Sequence, residues 1–377
     1  MPVEQAARQP SGAGTMLSDD NAPVRSKWSH IYSVLSPGRI GAVYVLIAVC
    51  IVFSIWVPQT FPKWATAKQV FESNSVTAMA ALTLVIPLAS GVFDISVPYT
   101  MTLSGIFTTY LIVNSGWPVV PSIILAIVVA MLVGVVNGIV VVVAKIDALI
   151  GTLATGFVIQ AVILWRSQDQ LISGSQLTSL NKIADNQWLF GLTLPVFYCV
   201  VLAFVIWLLL ERTSTGRRMY ATGFNVDAAR LAGVRTPRVR FLALVACATL
   251  AGIVGVVLAA QIGSGSPTAG SPYLLPAFAA VFVGATQFKP GHFNAWGTIL
   301  ATVLLGTIIT GLGLAGSPQW VQQLVSGIVL IAALGLTGLE VRRAGTRKRP
   351  TGGQGDIESA PDERSERNDI AATSVAT

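Results

Sequence analysis

Pro195–Leu210 reads P-V-F-Y-C-V-V-L-A-F-V-I-W-L-L-L. Glu211–Arg240 follows as E-R-T-S-T-G-R-R-M-Y-A-T-G-F-N-V-D-A-A-R-L-A-G-V-R-T-P-R-V-R, and Phe241–Ile262 continues F-L-A-L-V-A-C-A-T-L-A-G-I-V-G-V-V-L-A-A-Q-I. Two apolar runs thus flank a polar stretch that carries seven arginines against Glu211 and Asp227. Apolar runs of this length are candidates for membrane spans, and a Lys/Arg excess in a short loop between spans marks the cytoplasmic side. Inside the loop, Asn225–Gly233 predicts a short helix. Asn225 is its N-cap, Asp227 lies in the first turn, Arg230 near the end, and Gly233 is the stop. Val226, Ala229 and Leu231 give it a small apolar surface. A short, capped helix at the cytoplasmic face of a membrane bundle suits the docking of a soluble partner.

The rest of the chain has the same character. It is 53% hydrophobic and 11% charged, with a mean hydropathy of +0.69. Soluble domains carry roughly 25% charged residues, so this is an integral membrane protein. The net charge of +7 sits in loops flanking spans, where it sets orientation, and does not point to nucleic acid. Cys50, Cys199 and Cys247 all lie in apolar runs, where thiols behave as small hydrophobes. Neither a metal-ligand spacing nor a disulfide framework is visible, and no cofactor is expected.

Applying the length rule outward from the loop gives about ten spans. They fall near Ile40–Val57, Phe71–Ser90, Val97–Val113, Val119–Val143, Ala148–Trp165, Pro195–Leu210, Phe241–Ile262, Leu275–Ala285, Phe293–Leu314 and Trp320–Leu339, with Arg166–Thr193 as a polar segment. The expected fold is therefore an all-α, polytopic membrane protein. An even count places both termini on one side. Arg25, Lys27 and Arg39 before the first span, and Arg342, Arg343, Arg347, Lys348 and Arg349 after the last, make that side cytoplasmic. Residues 1–39, rich in Ser, Ala and Pro with no early apolar core, predict a disordered tail and no cleavable signal peptide. Residues 340–377, basic then acidic, predict a second disordered tail. The membrane domain is residues 40–339.

Two apolar regions are interrupted: Pro87-Leu-Ala-Ser-Gly-Val-Phe-Asp-Ile-Ser-Val-Pro98 and Val283-Gly-Ala-Thr-Gln-Phe-Lys-Pro-Gly-His-Phe-Asn-Ala-Trp-Gly297. They read either as short cytoplasmic turns or as breaks at membrane depth. Irregular backbone at that depth is tolerated only where protein or a water-filled cavity satisfies it, and breaks in both halves of a chain point to a transport path.

Few ionisable groups lie near the spans: Asp94, Lys145, Asp147, Lys289 and His292. Asp94 reads as the N-cap of the span beginning at Val97, which its residue type favours, or as a carboxylate inside the bundle held by backbone N–H groups. Lys145 and Asp147 read as a solvated pair in a turn, and Lys289 and His292 as residues of a cytoplasmic turn. Gly134-Val-Val-Asn-Gly138 has the spacing that lets two helices approach closely. Asn137, between the glycines, reads as a packing residue or as one facing a solute. With so few buried acids a proton-coupled carrier has little to work with. No G-x-x-x-x-G-K-[ST] phosphate loop occurs, so the chain has no standard ATP cradle of its own. An intramembrane enzyme would need a nucleophile–base pair or metal ligands within the spans, and none is seen.

Several of these segments together resemble the membrane-spanning permease subunits of bacterial ABC importers for simple sugars, the ribose/xylose/galactose type. Asp94-Ile-Ser-Val97 with Met101 and Leu103-Ser104 is similar to that family's G-G-I-D-L-S-V-G-x-x-M-x-L-S segment. Gly134-x-x-Asn-Gly138 followed by Ala148-Leu-Ile-Gly-Thr-Leu153 is similar to its N-G-x-n-I-x-T-L-G region. Thr215-Gly-Arg217, Tyr220-Ala-Thr-Gly223 and Asn225-x-x-Ala-Ala-Arg-Leu-Ala-Gly-Val234 are similar to its loop T-x-x-G-R-x-x-Y-A-x-G-x-N-x-x-A-A-R-L-S-G-I, the most specific of these likenesses. Val283-Gly284 through Gly297-Thr298 adds a weaker one. The likeness extends over residues 40–336. Val92, Pro98, Ala285 and Pro290 depart from the family pattern. They cluster at the interrupted segments, so solute specificity does not carry over.

The resemblance implies an inner-membrane permease, not an enzyme, working by alternating access. The implied cargo is a monosaccharide or similar small polyol. The implied partners are an ABC ATPase subunit, a periplasmic solute-binding protein and a second permease subunit, identical or not. The ATPase would act on a coupling surface of Arg217, Asn225, Asp227, Ala228, Ala229, Arg230, Leu231 and Gly233, with the small Ala228 and Ala229 letting the helix seat in a cleft. Asp94, Ser96 and Asn137 are candidates for the path or its gates. A branched-chain amino-acid permease is the nearest alternative, and a self-sufficient secondary transporter a more distant one.

Overall fold

The computed structural model describes residues 37–289 and 291–346. The tails expected at 1–39 and 340–377 lie outside the described residues, except for their helical ends. The chain divides into two units, residues 1–337 and 338–377. Of the second unit, the described part is residues 338–346, the end of the last helix.

Among the described residues the regular structure is helical, with two isolated bridges, Ile172–Gly265 and Gln187–Thr193. In chain order the helices are α1 Pro37–Trp56, α2 Trp64–Ala89, α3 Val97–Val113, α4 Val119–Gly138, α5 Ala148–Ser167, α6 Thr178–Asp185 and α7 Leu194–Arg212. They continue with α8 Ser214–Phe224, α9 Val226–Leu231, α10 Thr236–Ile262, α11 Leu274–Ala285, α12 Ala295–Leu314 and α13 Gln319–Thr346. A π-helical turn, Ile139–Val143, prolongs α4. Six helices are long and apolar enough to cross a membrane: α2, α4 with its π-turn, α5, α7, α10 and α12. Shorter apolar helical stretches lie at Gly41–Trp56, Val97–Val113, Ser271–Ala285 and Gln319–Ala332.

α2 and α10 form the interior. From Val76 to Ala89 every residue of α2 is buried, which explains an apolar run without amphipathic periodicity. α10 packs against α2, α3, α4 and α6. Small residues let it come close. A Cβ on Gly134 of α4 would sit 2.7 Å from Val245 Cα, and one on Gly255 would run into the Met101 carbonyl of α3. Ser104 Oγ donates to the Gly252 carbonyl at 2.8 Å, tying α3 to α10. Without a hydrophobic driving force between helices in lipid, such close packing and interhelical hydrogen bonds supply the association energy, about 0.6 kcal/mol for an average bond. The outward faces of α1, α4, α5 and α7 expose Ile47, Ile55, Val120, Phe157, Val201 and Phe204, far more apolar surface than a water-soluble monomer tolerates.

The segment read as polar, Arg166–Thr193, contains a 3₁₀ turn, Ser175–Leu177, and helix α6. Leu177, Leu180 and Ala184 bury themselves beside Ile112, Ala126, Val256 and Ala260. The loop Glu211–Arg240 is likewise more ordered than expected. α8 occupies its first half, and α10 begins at Thr236 before the apolar run starts.

Candidate functional site

The first interruption, residues 90–96, begins where α2 stops. Ser90 N and Gly91 N donate to the Pro87 and Leu88 carbonyls, and Val92 N closes back on Pro87 O at 3.0 Å. Gly91 has φ +70°, the left-handed stop that a β-carbon disfavours. The chain then turns inward. Asp94, fully buried, accepts at Oδ1 from Ser96 N (2.9 Å), Ser96 Oγ (2.6 Å) and Asn137 Nδ2 (3.4 Å). Asn137 Nδ2 also donates to Ser96 Oγ at 2.7 Å, and Ile95 N donates to Thr152 Oγ1 of α5 at 3.1 Å. The Cys247 thiol of α10 lies beside the Asp94 carboxyl. The break is thus pinned to α4, α5 and α10. Asp94 Oδ2 and Asn137 Oδ1 accept no hydrogen bond of ordinary geometry, leaving two acceptors in the protein interior.

This arrangement resolves two expectations. Asp94 does not cap the next helix, because the N-cap position of α3 is Ser96 and no side-chain capping bond forms there. Asn137 does not simply fill space between close-packed glycines. Gly134 and Gly138 face α10, while Asn137 reaches the break. The three path candidates, Asp94, Ser96 and Asn137, converge on one buried knot.

The second interruption lies between α11 and α12 and is organised by Asn294. Its Oδ1 accepts from Gly297 N at 2.7 Å, capping α12. Its Nδ2 donates to the carbonyls of Gly284 (3.2 Å), Gln287 (3.1 Å) and His292 (3.1 Å). Gln287 Oε1 accepts from Ala42 N of α1 at 2.9 Å, and Lys289 pairs with Glu211. Phe93 of the first break, Phe282 of α11 and Phe293 of the second form an aromatic bridge, with centroid separations of 6.3 and 5.7 Å.

α8 is seated on both breaks. Thr213 caps it, accepting from Gly216 N at 3.1 Å. Near its far end, Gly223 lies against the end of α2 so tightly that a Cβ there would run into the Ala89 carbonyl. Tyr220 and Phe224 meet His292 edge-on, with centroids 5.3 and 4.7 Å away, and Tyr220 Oη donates to Phe293 O at 2.7 Å. Burial first, and Glu211 second, push the Tyr220 phenol well above its ordinary range, so it stays a protonated donor at neutral pH.

α9 follows directly. Asn225 Oδ1 accepts from Ala228 N at 2.9 Å, Asp227 lies in the first turn and Arg230 in the last. The helix closes through Gly233 N to Arg230 O and Val234 N to Ala229 O, with Gly233 at φ +84°, a Schellman stop. Asn225, Asp227, Ala228, Arg230, Leu231 and Gly233 are exposed, as is Arg217 on α8, and Leu231 is 91% exposed. Ala229 departs from the expectation: it is 4% exposed and packs into its own chain. Successive helix positions are turned by about 100°, so Ala228 and Arg230 flank the seat while Leu231 points away from it; Ala229 anchors α9 and is corrected out of the free surface. Lys145 and Asp147 are both exposed in the turn, as expected, but they do not pair; Asp147 Oδ1 instead caps α5 by accepting from Leu149 N (3.0 Å) and Ile150 N (3.3 Å).

Tyr220, Gly223, Gln287, His292 and Cys247 are not among the functional residues expected from the sequence. The spacing Tyr220-x-x-Gly223 places both on one face of α8, which is a signal once α8 is known to be helical. The contacts of Gln287 and Cys247 are made only by the tertiary fold.

The family model described as branched-chain amino acid transport system / permease component matches residues 68–334. The ribose import permease protein of Bacillus subtilis is 32% identical over 260 residues, covering 69% of this chain and 80% of that protein. The L-arabinose transport system permease protein of Escherichia coli is 31% identical over 306 residues, covering 80% of this chain and 92% of that one. The D-allose transport system permease protein of Escherichia coli is 26% identical over 301 residues, covering 80% and 92%. No solved structure matches the chain.

Proposed function

The chain belongs to the family described as permease components of branched-chain amino acid transport systems, and from that premise we propose that it is the membrane subunit of a binding-protein-dependent ABC importer for a monosaccharide or similar small polyol. Ribose, arabinose and allose permeases among its relatives support a sugar over a branched-chain amino acid. ATP is hydrolysed by a separate ATPase subunit, a periplasmic binding protein delivers the solute, and a second permease subunit completes the assembly. Residues 40–339 form the permease domain in the inner membrane, with both tails in the cytoplasm. Six helices are long and apolar enough to cross, and a count of about ten has the four shorter apolar helices crossing as well.

One observation carries this reading. α8 sits on both interrupted segments while α9, rigidly capped beside it, presents an exposed face of Asp227, Ala228, Arg230 and Leu231. A push on α9 is delivered to both breaks together, as alternating access driven from outside the membrane requires. Asp94, Ser96 and Asn137 then act as path or gate, because the spare acceptors of Asp94 and Asn137 lie beside the point where the backbone departs from helix.

The test uses Ala228→Trp in the assembled complex. Ala228 is exposed, so the chain should fold, lose association with the ATPase, and lose solute-stimulated ATP hydrolysis. Ala229→Trp cannot serve, since it would disrupt the seat of α9 on its own chain. Full association and hydrolysis in Ala228→Trp would remove the docking assignment. Downhill solute flux through vesicles containing this chain alone would replace the importer with a self-sufficient transporter.

A further inference from the structure

Beneath α9 lies a cavity of about 520 Å³, bounded by the first break, the α4–α5 connection and the start of α10. Three cations line it, Lys145, Arg230 and Arg240, against one carboxylate, Asp147. That carboxylate is already engaged by two backbone N–H groups of α5. The ion pairs among the described residues are Lys68–Glu72 and Lys289–Glu211, so none of the three cations has an acidic partner. Arg240 is the most committed of them. Its Nε is buried without a hydrogen-bond partner, and its Nη2 lies 3.7 Å from where a Cβ on Gly91 would sit. A buried guanidinium N–H left unmatched incurs a desolvation penalty that an occupant of the cavity would relieve.

The chemistry of that occupant follows from the walls. Guanidinium groups bind phosphate through paired N–H donors, and an ammonium adds a point charge. The same cavity is lined by apolar Val142, Ile146 and Leu149, and Phe241, next to Arg240, opens the apolar part of α10. Cations at the mouth of an apolar wall fit an amphiphile with a phosphate head. We propose that this cavity is a binding site for a phosphate-bearing anion, supplied by an acidic phospholipid of the adjoining leaflet. The bound head group bridges α9, the first break and α10, and this binding does not depend on what the protein transports.

The full chain, purified in an uncharged detergent, is titrated with phosphatidylglycerol, phosphatidylcholine and inorganic phosphate, and bound molecules are counted by native mass spectrometry. Phosphatidylglycerol should bind in preference to phosphatidylcholine. Arg240→Gln and Lys145→Gln should each weaken it about fivefold, from roughly 1 kcal/mol per cation near a membrane surface. Lys182→Gln, at an exposed position of α6, should leave it unchanged. Lys145 is exposed on a turn, so its variant reports even if Arg240→Gln fails to fold. Inorganic phosphate that binds with the same dependence on Arg240 and Lys145, and displaces the lipid, would keep the anion site but overturn the lipid as its source. Equal binding of both lipids, or phosphatidylglycerol binding that neither substitution alters, would overturn the site.

Discussion

At the scale of single residues, Tyr220 joins α8 to the second break through one proton. Its hydroxyl donates to the Phe293 carbonyl, and its raised pKa keeps that proton in place. The sign of the pH effect follows. Above the ordinary tyrosine pKa of roughly 10, unfolded chains release the phenolic proton while the folded protein retains it. The folded state then binds more protons, and stability falls as pH rises from that value toward the folded pKa. Below it the contribution is fully present. Tyr220→Phe removes both the bond and the titration. It is expected to lower stability at neutral pH by about 1 kcal/mol for the lost bond, and to flatten the alkaline decline. Thermal unfolding in detergent at neutral and alkaline pH measures both, and an alkaline slope equal to that of the parent would show that Tyr220 does not titrate as described.

At the scale of elements, what could be read from the sequence depended on whether an element's signal was local. The limits of α9 were legible, because Asn225, Asp227, Arg230 and Gly233 each mark a position in a capped helix by residue type alone. α6 was hidden because it lies in a segment dominated by Ser, Gln, Asn and Asp, where polarity masked the spacing of Leu177, Leu180 and Ala184. α8 was hidden by Gly216 and Gly223, which are poor helix formers kept for close approach to α7 and α2. The inward face of Ala229 could not be read at all, since a helix of six residues is too short for periodicity to separate its sides. α6 also yields a test. Leu180 is wholly buried in a cluster holding α6 to α3, α4 and α10, so Leu180→Ala should destabilise the protein by about 2–5 kcal/mol, read as a lowered melting temperature. A shift within error of the parent would mean that α6 is not packed as observed.

At the scale of the whole described bundle, two breaks far apart in sequence are mechanically one unit. Asp94 knots the first to α4 and Asn294 organises the second. The two knots share no hydrogen-bond partner, yet α8 and the Phe93–Phe282–Phe293 bridge join them. Sites without shared partners normally give additive effects, within about 0.5 kcal/mol. Here the physical link predicts otherwise. Asp94→Asn retains size but puts an amide in place of the carboxyl that gathers Ser96 and Asn137. Asn294→Ser retains a helix cap but loses the amide that holds three carbonyls. Each should reduce solute-stimulated ATP hydrolysis by the assembled importer. If α8 moves both breaks as one lever, releasing either end already disengages it, so the double variant should lose less than the product of the two single losses. The shortfall should exceed roughly twofold, the equivalent of that additivity limit. Losses that multiply would mean that each break moves on its own, and that α8 transmits force to only one of them.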